Sequence, residues 1–170
     1  MTIGICKMFD EAKIPTRGTN KSAGLDFYVP EYSDIYKEYF LNKNKDCGLD
    51  GINNLFWIPT NSSVVIPTGI KVKIPTGKAL IFFNRSGIAV KKHLVLGACV
   101  VDEDYQGEIF INLNNLSGYH VDIKFGEKIT QGVLLDVAYA DVKVYDDEKE
   151  MYTDHESERG DGAMGSTNHK

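Results

Sequence analysis

The sequence contains no run of about 18 apolar residues, so no bilayer-spanning helix is expected from it. Met1 is followed by the strand-like TIGIC rather than by a charged start and an apolar core, and no secretory leader is expected there. Cysteine is scarce. The three present, Cys6, Cys47 and Cys99, are odd in number and widely spaced, which suits neither a disulfide framework nor a zinc site and predicts reduced, buried thiols. A cytoplasmic location follows, or the host cytoplasm should the gene be viral. An excess of positive charge is also missing: 19 Lys and Arg against 24 Asp and Glu give a net charge of -5. This argues against nucleic acid as the main ligand, yet a local pocket of Lys and Arg could still hold a small polyanion. There is no internal repeat and no heptad. The 170 residues suffice for one domain with its own core, since burial becomes comfortable above roughly 100 residues.

What is present reads as short strands. Ile3, Ile5 and Phe9 alternate with smaller or polar neighbours, a loop runs through Pro15 and Arg17 to Asn20, and Ser22 to Val29 is again strand. Between 31 and 42, Tyr32, Ile35, Tyr36, Tyr39 and Phe40 fall at helical spacing, and a short amphipathic helix is predicted. Asn42 to Asn54 is loop by composition. From Ser62 the pattern is all β, with Pro67-Thr68-Gly69 and Pro75-Thr76-Gly77 as two turns of one kind and Ala79 to Phe83 as a strand buried on both faces. Tyr119 to Phe125 alternates, and Ile129 to Tyr139 follows a turn at Gly126. Many short strands with Gly and Pro turns indicate a barrel or sandwich. Between Asp141 and Gly160, eight acidic residues face three basic ones, the composition of a disordered solubilising end.

Several groups carry chemistry on this frame, each with a plainer reading beside it. Gly97 to Asn112, GACVVDEDYQGEIFIN, reads as a tight hairpin with an acidic tip between Val100-Val101 and the strand of Ile109, Ile111 and Leu113. Asp102 is there either a turn former or a reactive carboxylate. Asn84-Arg85-Ser86-Gly87 presents a guanidinium and a hydroxyl at a strand end, suited to phosphate oxygens, although a plain turn with a surface Arg looks the same. Gln131 shares the parity of Ile129, Val133 and Leu135, so its amide either caps the strand pattern or reaches a site. Asp26 lies in an apolar strand and needs an Arg or backbone donors. Near the end, Arg159, Gly160, Gly162, Gly165, Ser166 and Thr167 combine a cation, a flexible backbone and hydroxyls, the chemistry that wraps phosphate.

In order, AGLDFY, NRSGIA, VVDEDYQGEI, GEKITQGV and RGDGAMGST resemble the five motifs of the trimeric dUTP pyrophosphatase (dUTPase) family, from Ser22 to Thr167. The resemblance implies an all-β, distorted jelly-roll-like barrel. A short helical insert (31–56) follows the first motif, and the domain (1–145) ends in a flexible C-terminal arm (146–170). It further implies a homotrimer with shared active sites and Mg2+-dependent hydrolysis of dUTP. On this resemblance Asp102 matches the water-activating base, Tyr105 the ring packed on the deoxyribose, and Arg85, Ser86, Gly87 and Gln131 the phosphate contacts. Gly97, Cys99 and Val101 match the backbone that reads uracil. Asp26 matches a supporting residue. Arg159, Met164, Gly165, Ser166 and Thr167 match the arm that closes over a neighbouring subunit's site. Magnesium in this family is held through substrate phosphates and water. Met164 stands where an aromatic is usual and Cys99 where Gly is common, and 31–56 is longer than the family pattern needs, serving either a protein partner or packing on the domain's own barrel. Two other readings share or adapt the fold: a dCTP deaminase, whose catalytic Glu corresponds to about Asn112 here, and a regulatory protein-binding module.

Overall fold

Alternating apolar residues build short strands that close a shared interior. The computed structural model describes residues 1–158 and 160–162, which fall into two units, 1–138 and 139 onward. In the first unit β1 (Gly4–Lys7), β5 (Ser63–Lys73), β9 (Glu108–Asn115) and β7 (Leu94–Leu96) form one sheet in the order β1-β5-β9-β7. A second sheet runs β2 (Leu25–Tyr28), β11 (Lys128–Asp136), β6 (Lys78–Asn84) and β8 (Val100–Val101), and a third runs β10 (Val121–Lys124), β4 (Leu55–Ile58) and β3 (Gly48–Asp50). All named pairings are antiparallel. The inner faces meet in one apolar cluster that includes Phe27, Phe40, Phe56, Ile66, Leu80 and Ile111. Each such side chain contributes about 1.5–3 kcal/mol of transfer free energy. Among the described residues no helix is long and apolar enough to cross a membrane.

The expected helix is α1 (Asp34–Lys43), capped by the Ser33 hydroxyl, which accepts the Tyr36 N–H at 3.0 Å. It is part of the core. Tyr36 and Phe40 are buried, the Phe40 ring lies 4.5 Å from Phe56, Tyr36 packs edge-on to Phe125, and the Tyr36 hydroxyl donates to the Pro67 carbonyl at 2.8 Å. Ile35, placed on the apolar face by spacing, is instead 77% exposed. The segment read as loop after it contains β3, and Asn44 is buried, its amide donating to Val65 O and accepting from Val65 N–H beside the strand.

Other expectations change. Pro67-Thr68-Gly69 is not a turn but an irregularity inside the continuous β5, where the register with β9 slips between Pro67 and Lys71 and Gly69 adopts φ +66°. Pro75-Thr76-Gly77 is the expected turn, with Gly77 at φ +76°. Phe83 is 44% exposed, but Ala79 and Ile81 on its side of the strand are buried and half-buried, so the second face of β6 is only partly covered. Ser86 and Gly87, for which a plain turn was one reading, open a helix instead, α2 (Ser86–Lys92), ended by His93 at φ 54°. Of the three thiols only Cys47 is buried, and burial raises its pKa to about 11. The second unit contains α3 (Glu148–Met151), capped by the Asp147 carboxylate, in a segment for which no helix is predicted.

Candidate active site

The 97–112 stretch is not a simple hairpin. Gly97 N–H still bonds Asn112 O at 3.0 Å, continuing the β7–β9 ladder, but the chain then crosses to the other sheet. Val100 and Val101 pair with Ile81 and Leu80 of β6, and the Cys99 carbonyl accepts Phe82 N–H at 2.7 Å. The chain returns through a turn closed by Tyr105 N–H on Asp102 O at 3.2 Å. A single-sheet hairpin was the wrong pairing because apolar parity marks which face a residue takes, not which strand it joins. Asp102 thereby stands at the edge between two sheets, exposed, and among the described residues its carboxylate has no partner. With Val100, Val101, Tyr105, Glu108, Ile109 and Phe110 it lines a hollow of about 180 Å³.

Tyr105 is fixed by its hydroxyl, which donates to Glu108 O at 2.8 Å. Its ring lies so close over Gly107 that a Cβ there would meet the hydroxyl at 2.3 Å. Gly107 is therefore more than a turn former. Gly97 is also tightly covered, because a Cβ would sit 1.9 Å from Asn112 Oδ1 and would force that amide to turn away.

A second hollow of about 260 Å³ collects Gly18, Ser22, Asp26, Arg85, Ser86 and Gln131, together with Gly24 and Gly87. Asp26 is buried, and both of its oxygens are taken: Arg85 Nε lies 3.0 Å from Oδ1 and Lys128 Nζ 2.9 Å from Oδ2. Arg85 also donates from Nη1 to the Lys128 carbonyl at 2.9 Å. The hydrogen bond to Asp26 holds the Lys128 pKa above its usual value. Two cations, Arg85 and Lys128, over-compensate the single Asp26 charge beside the hollow. Gln131, opposite Asp26 in the β11–β2 register, donates to Asn84 O at 3.1 Å, and Gly24 leaves it room, since a Cβ at 24 would touch its side chain at 2.9 Å. Its face carries Val133 and the half-exposed Leu135 rather than the core, because the register shift between Lys128 and Thr130 reverses parity after Ile129. The structure thus brings Asp26, Arg85, Ser86, Gly87 and Gln131 together, and Asp102 and Tyr105 together, in separate hollows of one chain. Arg159, Met164, Gly165, Ser166 and Thr167 lie outside the described residues.

A family model described as dUTPase matches residues 37–168. This chain belongs to the dUTPase family. The deoxyuridine 5'-triphosphate nucleotidohydrolase of Candida albicans is 32% identical over 157 residues, covering 92% of this chain and 82% of that protein. Among solved structures, a mutant dUTPase of Staphylococcus bacteriophage 80alpha with dUpNHpp aligns with a TM-score of 0.75 at 21% identity, covering 98% of both chains. A mutant dUTPase of phage phi11 of S. aureus, described with a structural Mg(II) ion, aligns at 0.68 and 20% identity, covering 88% of this chain and 99% of that one. The likeness to the phage structures supports the all-β fold, and the family match favours the hydrolase over the deaminase and the binding module.

Within this dUTPase, sequence reading missed Lys128, Gly24 and Glu108. Lys128 was within the fourth motif, but only the fold sets its ammonium against Asp26. Among the described residues no group of three or more His, Cys, Asp and Glu could hold a metal ion.

Proposed function

We propose that this dUTPase hydrolyses dUTP to dUMP and diphosphate by attack of water on the α-phosphorus, with Asp102 taking the water's proton. The activity limits uracil in DNA and supplies dUMP for thymidylate synthesis. The observation that carries the assignment is the exposed Asp102 carboxylate, without a partner among the described residues, on a turn held by its own backbone, where a general base needs free lone pairs and a fixed position. The triphosphate lies against Arg85, Ser86, Gly87 and Gln131. Two of the five guanidinium donors of Arg85 are spent on Asp26 and Lys128, which orients the fork and leaves three for phosphate oxygens. Tyr105 packs on the deoxyribose. The Gly97 N–H and the Cys99 carbonyl are engaged inside the chain, and the Gly97 carbonyl takes only the weak bond of the Cys99 thiol at 3.9 Å, so that carbonyl and the Cys99 N–H face uracil, and the adjoining Val101 completes that wall.

The functional assembly is a homotrimer with shared sites. Two observations support it: the Asp102 and Arg85 groups line separate hollows in one chain, and the outward face of the β2-β11-β6-β8 sheet leaves Phe83, Val100 and Leu135 at 44%, 64% and 42% exposure. A neighbouring copy covers that face and supplies the missing half of each site. The domain (1–145) is followed by the arm (146–170), whose Arg159, Met164, Gly165, Ser166 and Thr167 close over the nucleotide. Asp26 spends both oxygens on Arg85 and Lys128, so Mg2+ would be held through the substrate phosphates and water, where it would neutralise phosphate charge. A diphosphate-release assay with dUTP, dCTP, dTTP and UTP side by side tests the reading. Selective turnover of dUTP is expected, and equal turnover of all four, or none of dUTP, overturns it.

A further inference from the structure

One buried carboxylate joins α1 to the Asp102 turn. Glu108, the first residue of β9, is 6% exposed, and an ionised group so placed must be compensated by donors. Its Oε1 accepts Gly69 N–H at 2.7 Å, and its Oε2 accepts the hydroxyl of Tyr39 from α1. The carbonyl of the same residue accepts the Tyr105 hydroxyl, the one hydrogen bond that ring makes among the described residues. Tyr39 is itself held in place. Phe9 meets its ring edge-on at 6.3 Å, and the Lys43 ammonium lies over both the Tyr39 ring and the ring of Phe110, which lines the Asp102 hollow. Burial, and the carboxylate it donates to, raise the Tyr39 pKa to about 12, so the hydroxyl keeps its proton and remains a donor throughout the neutral range.

The Tyr105 ring is 43% exposed and rests on Gly107 and on this bond, both beside Glu108, so a shift of Glu108 moves the ring. We propose that Tyr39 is a positioning residue for the nucleotide site: through Glu108 it fixes the Tyr105 ring and so sets how strictly the site separates 2'-deoxy from 2'-hydroxy nucleotides. The inference rests on the reading of Tyr105 as the residue packed on the deoxyribose. The helix of the insert then acts on substrate choice without touching substrate.

Tyr39→Phe keeps the ring and removes the hydroxyl. The ratio of kcat/KM for dUTP to that for UTP is expected to fall about tenfold, with the melting curve still cooperative. A purely structural Tyr39 would lower the active fraction for both substrates alike; an unchanged ratio therefore overturns the proposal. Tyr105→Phe breaks the same chain of bonds at its other end without disturbing α1, and gives the test if Tyr39→Phe does not fold. It is expected to lower the ratio by a similar factor, and the double variant by no more than either alone; full additivity of the two overturns the link. Tyr105→Ala separates the two ideas. A ratio unaffected by Tyr105→Ala rejects the deoxyribose reading itself, whereas a ratio lowered by Tyr105→Ala but not by Tyr39→Phe rejects only the role of Tyr39.

Discussion

Single residues in this protein take their meaning from what closes around them. Asp26 was legible as a carboxylate in an apolar strand needing a cation, and it has two, Arg85 at 3.0 Å and Lys128 at 2.9 Å. Which cations they would be was not legible, because Lys128 lies 102 positions away and only the β2–β11 pairing brings it near. Asp102 was legible as a carboxylate after an apolar pair, with turn former and base left open. The turn uses its carbonyl, which meets the turn-former reading, and leaves the carboxylate to solvent, where the proposed base needs it. Asp102→Asn keeps the shape and removes the base, and is expected to lower dUTP turnover by at least about 100-fold while dUTP still binds. Single-turnover kinetics with a parallel binding titration measures both, and wild-type turnover in the variant would remove Asp102 from the role proposed for it.

At the scale of elements the decisive case is α1. Its helical spacing was readable, and so was the ambiguity between a partner surface and packing on the domain's own barrel. Tyr36 and Phe40 settle the packing, since they are fully enclosed by Phe56, Phe125 and Phe9, while Ile35 is left outside. Phe40→Ala is expected to cost about 3–5 kcal/mol, the sum of lost transfer energy and a residual cavity, read from urea denaturation midpoints with an unchanged slope. Replacing residues 33–54 by a short Gly-Ser linker removes both aromatics, β3 and the Asn44 bonds to Val65, and should leave an insoluble or unfolded chain. A soluble, cooperatively melting product would show that the three sheets close without the helix.

At the scale of the whole molecule the hydrolase needs more than one chain in the reading proposed here. The two hollows that hold the candidate residues are separate, and among the described residues a sheet face leaves the apolar Phe83, Val100 and Leu135 exposed. Ending the chain after Tyr152 is expected to leave a folded trimer and to lower dUTP hydrolysis by about 10-fold to 1000-fold, because positioning and charge stabilisation of the triphosphate go together. Mixing Asp102→Asn chains with truncated chains should restore part of the activity, since a mixed trimer pairs an intact base from one chain with an intact arm from another. Mixed trimers identified by native mass that stay at the activity of their parents would reject the shared site.

The sequence by itself determined the elements that depend on local chemistry. Period-2 alternation placed most strands, 3.6 periodicity placed α1, and the ordered motifs pointed to the family before any coordinate was needed. Tertiary structure decided what depends on distant partners. The two Pro-Thr-Gly segments are chemically alike, yet one turns the chain and the other only buckles β5. At Pro75 the chain leaves its sheet, whereas at Pro67 β9 runs alongside, with Pro67 opposite Phe110 and Lys71 opposite Glu108, and the Glu108 carboxylate takes the Gly69 N–H that the ladder loses. In the same way Val100 and Val101 were plainly strand, but joining them to β6 rather than β9 is a matter of which apolar surfaces bury each other, and parity along one segment carries no record of that choice.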